Sequence, residues 1–219
     1  MPNWCSNTLS VKGTAADVAA FIEAANGYEQ KYVGPFNDRS SSGPDWGKFT
    51  PIQIEVMMND ESFFTSGAKK SNLSFHALVP VPREVMLSPY DPTTLGEIAK
   101  KYPEWFSRFP NICAGYDWES NNWGCKWGAS DVGEPNVTDV GEGSVAEYNF
   151  ETPWGPPREF MNKVAEKFKS LEFNLTFSEE GCGFGGECTW SDGSLRDSAD
   201  WDLDQELEEE ESDEESESN

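Results

Sequence analysis

The sequence predicts an α+β fold: an antiparallel sheet with helices on one face, interrupted by an irregular insertion and ending in a disordered acidic C-terminal tail. Three observations carry this. The chain opens β–α and closes, before its tail, β–α–β. Its two firmest helical patterns, residues 14–27 and 155–171, each show a single apolar stripe, as a helix lying on a sheet requires. The stretch LEFNLTFSEE alternates so regularly that Leu171, Phe173, Leu175 and Phe177 all point one way.

The elements follow in order. WCSNTLSVKG is β-favouring, with Leu9 and Val11 on one face, and reads as a first strand. TAADVAAFIEAANG reads as a helix. Thr14 is a good N-cap, Asp17 completes an approximate capping box, and Gly27 is placed as a stop. Its apolar face is Val18, Phe21, Ile22 and Ala25. From Tyr28 to Ser71 the pattern weakens: NDRSSSGPDWGK is loop composition, and a short helix is expected after Pro51. NLSFHALVPVP is expected to be a second strand, ended by Pro80 and Pro82, which cannot donate to a ladder.

LGEIAKKYPEWFSRF reads as helical up to a break near Pro103. It leads into YDWESNNWGCKW, Tyr116 to Trp127, which reads as core and turn more than as a binding site. Tyr116, Trp123 and Trp127 are expected to bury their rings and anchor their polar tips. Asn121 and Asn122 would be turn or capping residues, Gly124 would admit the chain to a strand, and Lys126 would pair with Asp117 or Glu119. GSVAEYNFETPW is a strand with Ala146, Tyr148 and Phe150 on one side. GPPREFMNKVAEKFKSL is a helix with prolines suited to its first turn and a stripe of Phe160, Val164 and Phe168. GCGFGGECTWSDG supplies a glycine-rich hairpin tip and a final short strand. The body thus spans residues 1–197, with irregular or helical segments at about 28–71 and 83–143, and the tail 198–219.

Composition bounds the function. The chain of 219 residues carries a formal charge of −24, nine Trp and fourteen Phe. From Asp200 onward there are twelve acidic and no basic residues, yet the remainder still holds 28 acidic against 16 basic. Such a surface repels nucleic-acid phosphates and anionic membranes and favours cationic protein partners. Five cysteines, no C-x-x-C and a single histidine argue against zinc and for reduced thiols in a cytoplasmic protein; a Cys182–Cys188 pair across the hairpin is the lesser alternative. No basic, apolar leader and no stretch of membrane-spanning length is present in the sequence, and no cofactor is expected.

The motifs MPNWCSN, LSFHALVPVP, YDWESNNWGCKW, FETPWGPP and EEGCGFGGE occur in that order. Together they resemble the YubB-like, Api-type family of short phage- and plasmid-borne proteins with a ferredoxin-like domain. The resemblance spans roughly residues 1 to 195 and leaves the acidic tail outside. It implies a ferredoxin-like α+β fold and a mobile-element origin, hence the cytoplasm of a bacterial host. It implies no catalytic residues, and the cysteine spacing fits no iron–sulfur cluster.

No catalytic pattern stands out beside the structural explanation of each candidate. His76, Cys125 and the carboxylate pairs Asp117/Glu119 and Glu179/Glu180 are the only groups with reach toward acid–base or nucleophilic work. EEGCGFGGE lacks a phosphate-loop lysine and is flanked by glutamates, and Asp131, Glu134 and Asp139 have no calcium-loop spacing. The expected function is therefore non-enzymatic: an accessory protein of a phage or mobile element that binds a host or phage protein, as an acidic DNA mimic or anti-defence factor. The candidate contacts are Trp118, Glu119 and Trp123 on the body and Trp201, Asp202, Leu203, Asp204 and Leu207 in the tail. Two alternatives remain. One is a single-stranded nucleic-acid module stacking bases on Tyr148, Phe150, Phe173 and Phe177. The other is an enzyme with its site near His76.

Overall fold

Alternation of apolar and polar residues along the strands lets one sheet face bury while the other stays wet, and this sheet is antiparallel throughout. The computed structural model describes residues 3–32, 51–101, 103, 107 and 109–203. In chain order its elements are β1 (Trp4–Thr14), α1 (Ala15–Ala25), β2 (Gly27–Tyr28), α2 (Pro51–Asn59), α3 (Glu61–Thr65), β3 (Lys70–Ser71), α4 (Phe75–Leu78), α5 (Arg83–Met86), α6 (Pro92–Lys101), α7 (Gly115–Trp123), β4 (Asn136–Val140), β5 (Gly143–Pro153), α8 (Arg158–Lys167), β6 (Glu172–Glu179), β7 (Phe184–Ser191) and β8 (Ser194–Asp202). The six-stranded sheet has the order β4-β5-β1-β6-β7-β8, and β2 pairs with β3 as a separate ribbon. Within it, β1–α1–β4–β5–α8–β6 with neighbours β4-β5-β1-β6 is the split βαβ arrangement. β7 and β8 extend one side.

The sequence signals at both helices hold. Thr14 Oγ1 accepts from the Asp17 amide at 3.2 Å and donates to the Asp17 carboxylate at 2.8 Å, closing the N-terminus of α1. Phe21 from α1 meets Phe168, Phe173 and Tyr148 edge-on, so α1, the end of α8 and strands β5 and β6 share one aromatic cluster. On β1, β5 and β6, Leu9, Val11, Ala146, Tyr148, Phe150, Phe173, Leu175 and Phe177 face the helices and are buried. The helix expected after Pro51 and the helix ending before Pro103 are α2 and α6. The loop-like composition around residues 37–48 lies outside the described residues.

Three expectations are corrected. NLSFHALVPVP is not a strand. Ser74 caps α4 by accepting from the Ala77 amide at 3.0 Å, and its own amide donates to Ala25 O at 2.8 Å. Leu73, Phe75, Leu78, Val79 and Val81 are all buried, a run without a period of two, and such short apolar runs do not distinguish strand from helix. The second strand of the split plan is instead β4, whose five residues are all exposed and so carry no burial alternation. The insertion between α1 and that strand is correspondingly longer than expected. Third, β8 runs through Asp202 and pairs with β7 from Phe184↔Asp202 to Ser191↔Ser194, so the boundary expected at residue 198 falls inside a strand. Residues 204–219 lie outside the described residues.

The insertion docks on the helical face through Phe75, which stacks on Phe160 of α8 with centroids 3.7 Å apart and meets Trp123 and Phe150 edge-on. At the opposite end, β7 and β8 close tightly over Gly186, where a Cβ would sit 2.3 Å from Phe177 Cζ and 2.7 Å from the backbone oxygen of Ala199. Gly186→Ala is expected to destabilise the fold by about 1–3 kcal/mol, because a backbone atom cannot give way as a side chain does. A lowered urea midpoint with an unchanged slope is the predicted reading.

Candidate functional site

YDWESNNWGCKW folds mainly as α7, not as a turn entering a strand. Gly124 ends that helix in the left-handed region, φ 76°, with its amide on Ser120 O at 3.2 Å. Trp123 is fully buried, donates from Nε1 to Val79 O at 3.1 Å, and meets Phe75 and Trp118 edge-on. Glu119 is fully buried too. Its Oε1 accepts from Tyr32 Oη at 2.8 Å and Gln30 Nε2 at 3.0 Å, and its Oε2 from Tyr90 Oη at 2.7 Å and the Trp127 amide at 2.9 Å. Burial raises this carboxyl above its usual range, while the four donors pull it back. Glu119 and Trp123 are therefore internal ties of the insertion, and neither faces a partner. Trp118 is half-buried and Tyr116 exposed. Lys126 lies over the rings of Tyr116 and Trp127, 5.5 and 4.5 Å from their centroids, where an ion pair with Asp117 or Glu119 was expected.

His76 lines a cleft of about 500 Å³ with Tyr28, Glu29, Glu61 and Arg83, the lining an acid–base site would require. The hydrogen bonds give it another role. Its Nδ1 accepts from the Val81 amide at 3.0 Å, so the lone pair a general base needs is occupied and the neutral ring carries its proton on Nε2. Glu61 is held by Arg83, and Glu29 by Lys69 at 3.2 Å. Burial lowers the His76 pKa from 6.5, so below that value the unfolded chain binds the extra proton first. Stability is then expected to fall as pH drops below about 6.5, and His76→Gln to remove that part of the slope in denaturation midpoints. Cys5 and Cys125 are poor nucleophiles: burial pushes Cys5 up to about 12 and raises Cys125 as well. All five cysteines are free, including Cys182 and Cys188.

The other sheet face is open. Register places Ser6, Thr8, Ser10 and Lys12 of β1 beside Glu151, Asn149 and Glu147 of β5 and Ser178, Thr176, Asn174 and Glu172 of β6. Glu187 and Thr189 of β7 continue this face. Cross-strand bonds knit it: Ser6 to Glu151 at 2.8 Å, Thr8 to Asn149 at 2.9 Å, and Lys12 paired with Glu172 at 3.1 Å. Tyr148, Phe150, Phe173 and Phe177, the aromatics that base stacking would need, are all buried on the opposite face. Trp201 does reach the open face, lying over Gly185, where a Cβ would come within 2.5 Å of its Nε1. Asp202 ends β8, and the Leu203 amide donates to Gly183 O at 2.9 Å. Asp204 and Leu207 lie outside the described residues.

At one end of the open face is an acidic cleft of about 540 Å³ lined by Asp131, Glu151, Glu179 and Glu180 together with Asn3, Trp4 and Ser6. Glu179 is buried, and its carboxylate accepts from the amides of Gly181 and Cys182, so the hairpin tip aims it. Glu151 Oε2 is buried without a hydrogen-bond partner. Trp4 in that lining is 43% exposed, and Trp154, 55% exposed, adjoins it through its amide on Asn3 O at 2.9 Å. Carboxylates beside indole faces suit lysine or arginine side chains. Sequence reasoning singled out MPNWC and FETPWGPP but placed no contact on their tryptophans.

Residues 122–218 match the family described as the ferredoxin-like domain in Api92-like protein. The fold is accordingly ferredoxin-like. The match begins inside α7 and runs through the acidic tail, which the sequence resemblance had left outside. Among solved structures, a protein api92 from Yersinia pseudotuberculosis is similar with a TM-score of 0.54 at 13% identity, covering 92% of this chain and 98% of that one. At that identity the likeness is one of fold. No curated protein matches the chain. Among the described residues, no helix is long and apolar enough to cross a membrane.

Proposed function

We propose that the protein is a non-enzymatic accessory factor of a phage or other mobile element that binds a cationic protein surface in the host cytoplasm. The observation that carries this is the chemistry of the open sheet face and its cleft, where carboxylates and exposed tryptophans are presented. The one lysine described on that face is already paired with Glu172. A surface of this kind suits the DNA-contacting patch of a nucleic-acid enzyme, which expects a dense row of negative charge. Competition with DNA for such a patch is how an anti-defence factor of this composition would act.

The test is a capture experiment from nuclease-treated bacterial lysate with the full chain and with Asp131→Asn/Glu151→Gln/Glu180→Gln. The expected result is a protein retained at low salt, released as ionic strength rises, and lost with the triple variant. In parallel, fluorescence anisotropy with single-stranded DNA and RNA at low salt should show no binding. Tight, salt-sensitive oligonucleotide binding would overturn the reading.

A further inference from the structure

The two edges of the sheet are managed differently. At β8 the edge is polar and charged, with Arg196, Asp197, Asp200 and Asp202, and its pairing to β7 is broken by a register shift at Thr189/Trp190. Those are the usual guards against a further strand. At β4 the register break is absent and Asp139 is the one charge. Asn136–Val140 pairs with β5 in unbroken register, contains no lysine or proline, and leaves Val137 50% and Val140 53% exposed.

The hydrogen-bond phase of this edge is fixed by its neighbour. Glu151 of β5 exchanges both backbone bonds with Ser130, at 2.8 and 2.9 Å, so odd-numbered β5 residues turn their amides and carbonyls toward the β4 side. Val145 therefore bonds Thr138, and by alternation Val137 and Asp139 turn theirs outward, away from the sheet. Val137 shares the face of buried Ala146 and extends that apolar row to the rim, while Asn136 sits opposite Glu147 on the open face. The surrounding chain is uniformly acidic: residues 127–157 hold six Asp or Glu and no Lys, Arg or His.

We infer that the β4 edge accepts an extended segment of a partner protein as a seventh strand, one that alternates apolar residues with lysine or arginine. The main-chain groups of Val137 and Asp139 supply the ladder, Val137 receives the apolar residue, and Glu147 with its acidic neighbours receives the cation. A second copy of the chain is the poorer occupant, because both edges are acidic and two chains, at −24 each, would repel. The inference rests on the cationic-partner reading and adds where and in what conformation the partner binds.

The experiment titrates the full chain with a short synthetic peptide of alternating lysine and valine, following backbone amides by NMR and hydrogen exchange. The Val137 and Asp139 amides are expected to shift and to exchange at least about tenfold more slowly when bound. N-methylation of alternate peptide amides keeps the charge but removes the ladder, and should weaken binding by about tenfold or more, as should Val137→Lys. If the N-methylated peptide binds equally and the shifts fall on the Trp4 and Glu180 cleft, this inference is overturned while the cationic-partner reading stands. If no basic peptide binds at low salt, that reading fails with it. Concentration-dependent dimers lost in Val137→Lys would give the edge to a second copy and likewise overturn the proposal.

Discussion

Glu119→Ala is expected to cost about 3–5 kcal/mol of unfolding free energy, the range for removing one partner from a buried charged network. Its carboxylate gathers donors from three separate parts of the insertion: Gln30 and Tyr32 after β2, Tyr90 before α6, and Trp127 after α7. Alanine leaves two hydroxyls, an amide and a backbone N–H facing a cavity from which Tyr32 cannot easily retreat. Its ring already lies against Gly115, where a Cβ would be 2.4 Å from Tyr32 Cε1. Glu119→Gln separates charge from shape: it keeps the volume but turns an NH2 toward two of the donors, and should cost less than alanine but more than nothing. Equilibrium urea denaturation of the three proteins checks this ordering. Because burial raises the carboxyl above 4.5, the unfolded chain ionises first as pH climbs, and the share of stability held by this group declines through the folded value. The glutamine variant should lack that decline.

Trp123→Ala is expected to cost about 3–5 kcal/mol by a different route, loss of a fully buried ring. The indole fills the space between Phe75 and Trp118 and satisfies Val79 O, so its removal opens a cavity where the insertion meets α8. Trp123→Phe retains most of the packing and loses only the hydrogen bond, for about 1–2 kcal/mol. Near-UV circular dichroism alongside denaturation would show whether the insertion loosens first. A Trp123→Ala protein as stable as the parent would mean that the insertion and the sheet do not share a core.

Elements with one dominant physical cause were legible in the sequence. The α1 helix had both a cap and an apolar stripe, β6 had strict alternation, and α8 had prolines at its start and a stripe behind them. Elements shaped by tertiary surroundings were not. α4 is a single turn inside an apolar run that is too short to show a period, and β4 is exposed on all sides, so it shows none either. β8 is polar because it is an edge, and polarity next to an acidic tail reads as more tail. At the site, acidity was visible in composition, but its placement was not. Glu119 and Trp123 stood in the most distinctive motif and proved internal, whereas Trp4 and Trp154 sat in plainer strand ends and proved exposed.

The aromatic wealth that suggested a stacking platform is spent inside the helical face, and what the sheet offers outward is carboxylate, hydroxyl and a few rim indoles. The direct measurement is hydrogen exchange on the full chain in the presence and absence of a captured partner. Protection is expected along the open face, at Trp4 and Trp154 and at β4, diminishing as salt is raised. Protection confined to the His76 cleft, or appearing on addition of single-stranded nucleic acid in place of protein, would contradict it.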